Sequence, residues 1–387
     1  MKPKKICVFT GSRSEFGLLT PLLFALKNDP FFQLQILASG MHLSPEFGNT
    51  YHEILSLGFS IDEKVEMLLS SDTSTAITKS MGLGMIGYAD ALDRLQPDWL
   101  IVLGDRFEAF AAATSAYMKK IPIAHLHGGE VTAGATDEAL RHAITKMSAL
   151  HFTSTEDYRK RVLQLGEEEN CVFNVGAIGI DNVRNLSCLS KKELEMELDI
   201  RLTEQILLVT FHPVTLENLS SEDQMQELLG ALDVFNDTQI IFTMPNADSD
   251  GRMIRNMIND YVKNDPERSV AFDSLGRLKY LSLMKYSSAI VGNSSSGIIE
   301  APGFGIPSVN IGDRQKGRVA AQSVIHAGSQ RDSIVEALNK ALNPAFKEFC
   351  KRVVNPYGDG HTAGSIVSVL KEKMEDVNLK KEFVDRI

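Results

Sequence analysis

The sequence has few cysteines, and their spacing excludes two common uses of thiols. Only four occur in 387 residues, at positions 7, 171, 188 and 350, and no two have Cys-x-x-Cys spacing. Disulfide frameworks and thiolate metal sites need cysteines that pair or cluster. We therefore expect free thiols that are buried or uninvolved in function.

Long apolar runs are also absent. No stretch approaches the roughly 20 apolar residues that span a bilayer. The first apolar run, ICVF at residues 6–9, is too short for the core of a signal peptide. The sequence therefore predicts a cytoplasmic protein that does not insert into membranes.

An excess of positive charge is missing as well. Lys and Arg number 40 against 50 Asp and Glu, which gives a net charge of −10. Nucleic-acid-binding proteins need a basic face that displaces counterions from phosphates. We expect no nucleic-acid partner, and any phosphate that binds should be small and held locally.

The glycine signatures of common nucleotide sites are absent too. The first apolar run leads into TGSRSEFGLL, residues 10–19, at a strand end where nucleotide-binding folds hold phosphate. This stretch has neither G-x-G-x-x-G spacing nor the GK[ST] ending of the P-loop. Arg13 stands where those loops use glycine. The stretch therefore predicts an anion site that uses an arginine side chain.

What the sequence does contain is a regular alternation of short β-rich runs with helical patterns. One series extends from KICVF to CVFNVGA, and a second from ILLVTFHP to PSVNIGD. This alternation predicts parallel sheets with helices on both faces. The chain exceeds the roughly 250–300 residues at which single cores stop growing. We predict an α/β fold with two Rossmann-like doubly wound domains, residues 1–180 and 181–360, because residues 186–205 are polar and strand-free.

The predicted strand ends of the first half carry acids. Asp105 follows WLIVLG, Glu130 ends HLHGGE, and Asp137 lies near the start of TDEALRHAITK. Ligands of doubly wound sheets bind beyond the carboxyl ends of the strands. Asp105 and Asp137 are also residues that cap or begin a helix. Several carboxylates and histidines at one rim are nevertheless what acid and base catalysis needs, since proximity and partial burial separate their pKa values.

Two histidines lie in the same segment, at positions 125 and 127. Alternate residues of a strand share a face, so this pair with Glu130 is one arrangement that could bind a metal. The usual third and fourth ligands are missing at recognisable spacing. We expect no metal, and we expect His125 to pack in the core.

The predicted strand ends of the second half carry polar groups that suit a nucleotide. They are His212 in TFHPVT, Asn246 in MPNADSDG, and the run GNSSSGIIEAPGFG at residues 292–305. Three serines, Ser294 to Ser296, are predicted to open a helix whose N–H groups and hydroxyls bind a diphosphate. Glu300, one turn into that helix, is placed to accept hydrogen bonds from ribose. The alternative is a serine N-cap followed by a surface glutamate.

The sequence resembles the UDP-N-acetylglucosamine 2-epimerase family. Within that family it resembles the hydrolysing branch that serves sialic and legionaminic acid synthesis. The likeness covers nearly the whole chain and rests on TGSRSEFGLL, LGDRFEAF, HGGEVTAGATDEALRHAITKMSALHFTSTEDY, FHPVT, GNSSSGIIE and GDRQKGR. It implies two domains of the glycosyltransferase-B type facing across a cleft, with a last helix, about residues 361–387, packed back on the first domain. It also implies a UDP-sugar substrate, no cofactor, and a homodimer or homotetramer.

The resemblance implies a reaction in two steps. Anti elimination of UDP gives a glycal, and water then adds to release a free sugar of manno configuration. The residues that this scheme assigns to catalysis are Asp105, His127, Glu130, Asp137 and His212. Those that it assigns to UDP-sugar binding are Arg13, Asn246, Tyr280, Ser294, Ser295, Ser296, Glu300 and Arg314.

One position departs from the family pattern. Many relatives have glutamate as the third residue of H-x-x-G-G-E, and here that residue is His127. The proton transfer of that glutamate then falls to His127, to Glu130 or to another acid.

Two other functions compete with this interpretation. A retaining glycosyltransferase of the same fold would bind UDP in the same way and transfer the sugar to an acceptor. A non-catalytic sensor of nucleotide sugars would not need the clustered acids. The sequence leaves open whether the donor is UDP-N-acetylglucosamine or its 2,4-diacetamido-6-deoxy analogue.

Overall fold

The structure is a computed structural model that describes residues 2–71, 73–132, 136–214, 220–245, 251–376 and 379–386. It divides into two compact units. The N-terminal unit comprises Met1–Glu130, Asp137–Asn182 and Tyr357–Ile387, and the C-terminal unit comprises Val131–Thr136 and Val183–Pro356. Within the described ranges, no helix is both long and apolar enough to span a membrane.

The N-terminal unit is built on a parallel sheet of seven strands within the described residues. The strands are β1 (Lys4–Thr10), β2 (Phe32–Ser39), β3 (Glu63–Val65), β4 (Trp99–Leu103), β5 (Ile123–Leu126), β6 (Leu150–Thr153) and β7 (Val172–Asn174). Their order in the sheet is β3-β2-β1-β4-β5-β6-β7, and every pairing is parallel. The strand order therefore reverses between β1 and β4, where Val8 pairs with Ile101.

Helices cover both faces of this sheet. They are α1 (Arg13–Asn28), α2 (Tyr51–Ser56), α3 (Ser74–Leu95), α4 (Phe107–Met118), α5 (Asp137–Met147), α6 (Glu156–Gln164) and α7 (Ile178–Asn185). Successive residues of β1 serve opposite cores: Ile6 and Val8 pack with α1, whereas Cys7 and Phe9 pack with α3 and α4. This alternation follows from the two-residue period of a strand, and it makes the unit doubly wound.

The C-terminal unit repeats the plan with a parallel six-stranded sheet among the described residues. The strands are β8 (Ile206–Thr210), β9 (Gln239–Thr243), β10 (Ser269–Phe272), β11 (Ala289–Gly292), β12 (Ser308–Ile311) and β13 (Val324–Ala327). Their order is β10-β9-β8-β11-β12-β13, so the reversal lies between β8 and β11. A Cβ at Gly292, which has a φ of +129°, would collide with the carbonyl oxygen of Thr210. Glycine thus allows the two central strands to approach where they end.

The helices of the C-terminal unit include two that the sequence describes poorly. The helices of this unit, within the described residues, are α8 (Lys191–Leu198), α9 (Ser221–Leu232), α10 (Gly251–Asn264), α11 (Gly276–Tyr286), α12 (Ser296–Ile299), α13 (Arg331–Leu342) and α14 (Pro344–Cys350). Helix α8 lies in the polar stretch after residue 186, and a capping box of Ser190 and Glu193 begins it. Helix α12 has only four residues and is followed by a 3₁₀ turn, Ala301–Phe304.

The end of the chain belongs to the N-terminal unit. Helix α15 (Thr362–Lys373) packs on α1 through Ile366 and Leu370. Beyond it, the ammonium group of Lys381 donates to the carbonyl oxygens of Thr145, Lys146 and Ser148 at 3.5, 3.1 and 2.6 Å. A cation at these carbonyls complements the negative end of α5. The last described residues therefore stabilise the helix that begins with Asp137.

The structure confirms the predicted fold class and adds two strands. Both additions, β3 and β13, lie at edges of their sheets. The sequence of β3 is EKV, which has no alternation of apolar and polar residues. The four cysteines are free, as predicted.

Candidate active site

The strand reversal in the N-terminal unit brings two predicted site loops together at the carboxyl ends of β1 and β4. After β1, the Ser12 side chain accepts a hydrogen bond from the Glu15 amide at 3.4 Å and caps α1. Arg13 is therefore the first residue of α1, and it is half-buried. The point of strand reversal is where ligands of doubly wound sheets bind.

Asp105 follows β4 but does not cap α4. The N-cap residue is Arg106, which makes no side-chain capping hydrogen bond. The Asp105 carboxylate is instead paired with the Nη2 group of Arg141. The capping alternative for Asp105 is therefore wrong, because the helix begins one residue too late and the carboxylate is committed to an arginine of α5.

Arg141 is a residue that the sequence analysis missed. Its side chain is only 1% exposed, and besides Asp105 it binds the Glu138 carboxylate at 2.7 Å and the Glu130 carbonyl oxygen at 2.5 Å. One buried guanidinium thus connects the loop after β4, the segment after β5 and the first turn of α5. Its spacing of three residues from Glu138 was visible in the sequence, but its contact with Asp105 spans 36 residues.

His127 lies beyond the end of β5, in a left-handed conformation with a φ of +65°. Its Nδ1 lies 3.0 Å from Oε1 of Glu130, and its Nε2 accepts a hydrogen bond from the Ile178 amide at 3.3 Å. Because Nε2 accepts, the ring N–H is assigned to Nδ1, which donates to Glu130. Glu130 also accepts from the Ser154 hydroxyl at 2.7 Å.

His125 is a core histidine, as predicted. Its Nε2 lies 2.7 Å from the Gly104 carbonyl oxygen and its Nδ1 lies 3.2 Å from the Thr145 hydroxyl. Burial lowers the pKa of His125 to about 3, so the ring is neutral. With both nitrogens engaged and His127 past the strand end, the two histidines do not form the shared face that a metal would need. Across the described ranges, no three His, Cys, Asp or Glu side chains form a metal-binding group.

In the C-terminal unit, the strand reversal places His212 beside Asn293. The backbone amide of His212 donates to Oδ1 of Asn293 at 2.7 Å, and Nδ2 of Asn293 donates to the His212 carbonyl oxygen at 2.8 Å. The carbonyl oxygen of Asn293 accepts from Nη1 of Arg314 at 2.9 Å and from the side-chain Nε2 of Gln315 at 2.9 Å. Asn293 is fully buried. It therefore joins the loops after β8, β11 and β12, and the sequence analysis did not single it out.

The serine run after β11 forms a hydroxyl cluster. The Oγ atoms of Ser294 and Ser296 lie 3.1 Å apart, and the hydroxyl of Tyr280, on α11, lies 2.6 Å from Oγ of Ser296. Ser295 is the residue before α12 and makes no capping hydrogen bond through its side chain. With four residues, α12 is too short for the helix dipole that the sequence analysis invoked, so any anion here relies on the local hydroxyls and N–H groups.

Glu300 closes α12 and is 5% exposed. It is not a surface glutamate, so that part of the alternative interpretation is wrong. Asn246 lies outside the described residues. Its assignment to substrate binding therefore stays a prediction.

Each unit thus presents a polar cluster at its strand reversal: carboxylates around Arg141 in one, and hydroxyl, amide and arginine groups around Asn293 in the other. Two doubly wound parallel domains that carry such clusters define an enzyme of the glycosyltransferase-B fold class. Comparison with known proteins identifies the family. The chain belongs to the UDP-N-acetylglucosamine 2-epimerase family, whose sequence pattern matches residues 24–371.

Full-length relatives agree with this assignment. The chain is 42% identical to the GDP/UDP-N,N'-diacetylbacillosamine 2-epimerase (hydrolyzing) of Campylobacter jejuni, with 100% of both chains covered. It is 39% identical to the polysialic acid biosynthesis protein P7 of Escherichia coli, over 99% of this chain and 97% of the relative. The family resemblance inferred from the sequence is therefore confirmed.

A solved structure supports the fold. The UDP-GlcNAc 2-epimerase of Neisseria meningitidis, bound to UDP-GlcNAc, superposes with a TM-score of 0.80 at 22% identity. The match covers 96% of this chain and 100% of that one.

Proposed function

We propose that this enzyme converts a UDP-sugar and water to UDP and the free 2-epimeric sugar. The observation that carries the proposal is the full-length likeness to a hydrolysing 2-epimerase at 42% identity. The geometry supports the proposal, because carboxylates lie at one strand reversal, and hydroxyl, amide and arginine groups of the kind that suits a diphosphate lie at the other. Sialic or legionaminic acid biosynthesis, action in the cytoplasm and a homo-oligomeric state are parts of the same proposal.

The N-terminal cluster supplies the proton transfers. Elimination removes the proton on carbon 2 while the bond from carbon 1 to the diphosphate oxygen breaks, and hydration returns a proton to carbon 2. We assign acid, base and charge-stabilising work to Asp105 and Asp137. We assign the proton transfer of the family's glutamate to the His127–Glu130 pair, in which Nδ1 of His127 lies 3.0 Å from Oε1 of Glu130. Arg141 positions Asp105 and Glu130.

The C-terminal cluster and Arg13 hold the leaving group. Departing UDP carries negative charge, which cations and fixed donors stabilise most when they are already oriented. We assign this work to Arg13, Arg314, His212 and the hydroxyls of Ser294 to Ser296. Asn293 positions the His212 backbone through two hydrogen bonds and the Arg314 guanidinium through one. Tyr280 and Glu300 are assigned to the uridine.

For the sugar, we propose the 2,4-diacetamido-6-deoxy donor, UDP-N,N'-diacetylbacillosamine, because the Campylobacter relative is named for it. The test is to incubate the enzyme with this donor, with its GDP counterpart and with UDP-N-acetylglucosamine, and to follow nucleotide release and the free sugar by NMR. A higher kcat/KM for UDP-N-acetylglucosamine would contradict the choice of sugar. Nucleotide release without any acceptor also distinguishes this function from a glycosyltransferase, which needs one.

The elimination step predicts the isotope content of the product. In heavy water, the released sugar should carry deuterium at carbon 2, because the original proton leaves before water adds. NMR of the product measures this directly. Unlabelled product sugar incubated with enzyme and UDP in heavy water is the control for later exchange. Retention of the original hydrogen at carbon 2 would rule out the mechanism.

The UDP site predicts a loss of affinity in Glu300→Ala. Removing a buried hydrogen-bond acceptor for ribose should weaken UDP binding by roughly 1–3 kcal/mol. Calorimetry with UDP measures the change. Glu336→Ala, an exposed position on α13 of the same unit, is the matched control and should bind UDP like the parent. Unchanged affinity in a folded Glu300→Ala protein would place the ribose elsewhere.

A further inference from the structure

Glu15 is a buried acid that the proposed mechanism does not use. It lies in the first turn of α1, two residues after Arg13, and is 6% exposed. Its Oε2 accepts a hydrogen bond from the Gly11 amide at 2.6 Å. Its Oε1 is buried and has no hydrogen-bond partner among the described residues. The side chain therefore folds back on its own loop and fixes the turn that presents Arg13.

A second buried acid, Glu108, lies against the same turn. A Cβ on Gly11 would lie 3.1 Å from Cβ of Glu108, and one on Gly40 would lie 3.2 Å from its Oε1. Glu108 is fully buried, and its two carboxylate oxygens bind the Arg106 guanidinium at 3.0 and 3.2 Å. The Arg106 guanidinium is therefore paired with Glu108.

This geometry favours an uncharged Glu15. A buried carboxylate without a paired cation is costly, and it usually takes up a proton instead. The backbone N–H of Gly11 needs only an acceptor, which the carbonyl oxygen of a neutral carboxyl group also provides. Ionisation would place a second negative charge beside Glu108 in a site of low dielectric.

We propose that Glu15 is a positioning residue that holds the Arg13 turn while its carboxyl group is protonated, so that its ionisation sets an alkaline limit on nucleotide binding. The proposal rests on the assignment of UDP to the Arg13 turn. It requires that UDP affinity depends on the size and hydrogen bonding of an uncharged side chain at position 15, and not on a negative charge there.

The titration of the neighbouring groups supports this inference. Burial raises the pKa of Glu15 to about 8, a net effect that the Gly11 amide and Arg106 oppose and the charge of Glu108 reinforces. Nearby His42 has a pKa lowered by burial to about 4, and burial raises the pKa of Tyr88 well above 10. Of these three groups, Glu15 alone titrates near pH 8.

The sign of the effect on stability follows from linkage. The folded protein keeps the Glu15 proton up to about pH 8, whereas the unfolded chain loses it near pH 4.5. Between these values the folded state binds more protons, so rising pH removes stability. Glutamine at position 15 abolishes this term, since it cannot ionise.

The experiment compares Glu15→Gln with the full-length parent from pH 5 to pH 9.5, by calorimetric UDP affinity and by Tm. At pH 7, Glu15→Gln should bind UDP within about three-fold of the parent. Above pH 8, the parent should lose roughly ten-fold in affinity per pH unit, because only the protonated fraction binds, and Glu15→Gln should not. The difference in Tm between Glu15→Gln and the parent should grow in favour of Glu15→Gln from pH 5 to pH 8. Comparison at each pH cancels the ionisation of UDP itself.

Glu108→Gln is the matched control, since it makes the same substitution in the neighbouring buried acid. It removes the charge partner of Arg106, so its Tm should fall at every pH, unlike that of Glu15→Gln. A loss of more than ten-fold in UDP affinity for folded Glu15→Gln at pH 7 would overturn the proposal. A fall in its UDP affinity above pH 8 as steep as that of the parent would also overturn it. If the parent binds no UDP at any pH, the proposed function fails, while the Tm comparison still tests the protonation of Glu15.

Discussion

Asp105→Asn is expected to lower turnover at least about 100-fold, the lower range for removing a general acid or base. An amide cannot gain or lose the proton, and it cannot offset charge at carbon 1. Its UDP affinity should stay near that of the parent. Its Tm should fall, because Arg141 loses one of its carboxylates. Steady-state UDP release, calorimetry and thermal unfolding measure the three quantities, and Asp137→Asn should show the same loss of turnover.

Asp90→Asn provides the comparison for this variant, since Asp90 is exposed on α3 of the same unit. It should match the parent in turnover and Tm. If Asp105→Asn also turned over within a few-fold of the parent, the role of Asp105 would be reduced to pairing with Arg141. The His127–Glu130 pair would then be the stronger candidate for the proton transfer.

Arg141→Met is expected to have the largest effect on stability. It removes the guanidinium that pairs with Asp105 and Glu138 and that donates to the Glu130 carbonyl oxygen at 2.5 Å. Removing one partner of a buried ion pair costs about 3–5 kcal/mol. Turnover should fall at least about 100-fold even well below the Tm, because Asp105 is no longer held. Urea unfolding and initial rates at low temperature measure the two effects.

Two further variants separate charge from geometry at this position. Arg141→Lys keeps the positive charge but lacks the planar fork that reaches three acceptors, so it should recover part of the stability and little of the turnover. Arg94→Met breaks an arginine–glutamate pair in which the arginine side chain is 59% exposed, and it should cost no more than about 1 kcal/mol. Full activity in Arg141→Lys would contradict the positioning role.

The sequence predicts well what depends on neighbouring residues. The central strands are continuous apolar runs, and the turn at Ser12 and Arg13 opens a helix as expected. Sequence-based prediction fails for the short edge strand β3, which is stabilised by pairing with β2 and not by its own composition. It also overestimates the helix after Ser294, because GIIEAPGFG contains a proline and glycines that end α12 after four residues.

The contacts that organise the site are the part that sequence reasoning could not reach. Asp105 meets Arg141 across 36 residues, and His212 meets Asn293 across 81. Each of these residues, taken alone, is compatible with a purely structural role, such as a helix cap or a surface charge. Only the parallel sheet, which brings the ends of distant strands to one edge, reveals that Arg141 and Asn293 connect several loops at once.

The closing of the N-terminal unit by the end of the chain has a consequence for biosynthesis. Helix α5, which starts at Asp137, is capped by Lys381 and lies in a unit that also needs α15. A ribosome synthesises Tyr357–Ile387 only after Val183–Pro356 of the C-terminal unit. Although domains generally fold in the order of their synthesis, here the unit that begins first is completed last. A nascent chain that stops between residues 183 and 356 already has Asp105, Glu130 and Asp137, but it lacks the residues that secure the helix beginning with Asp137.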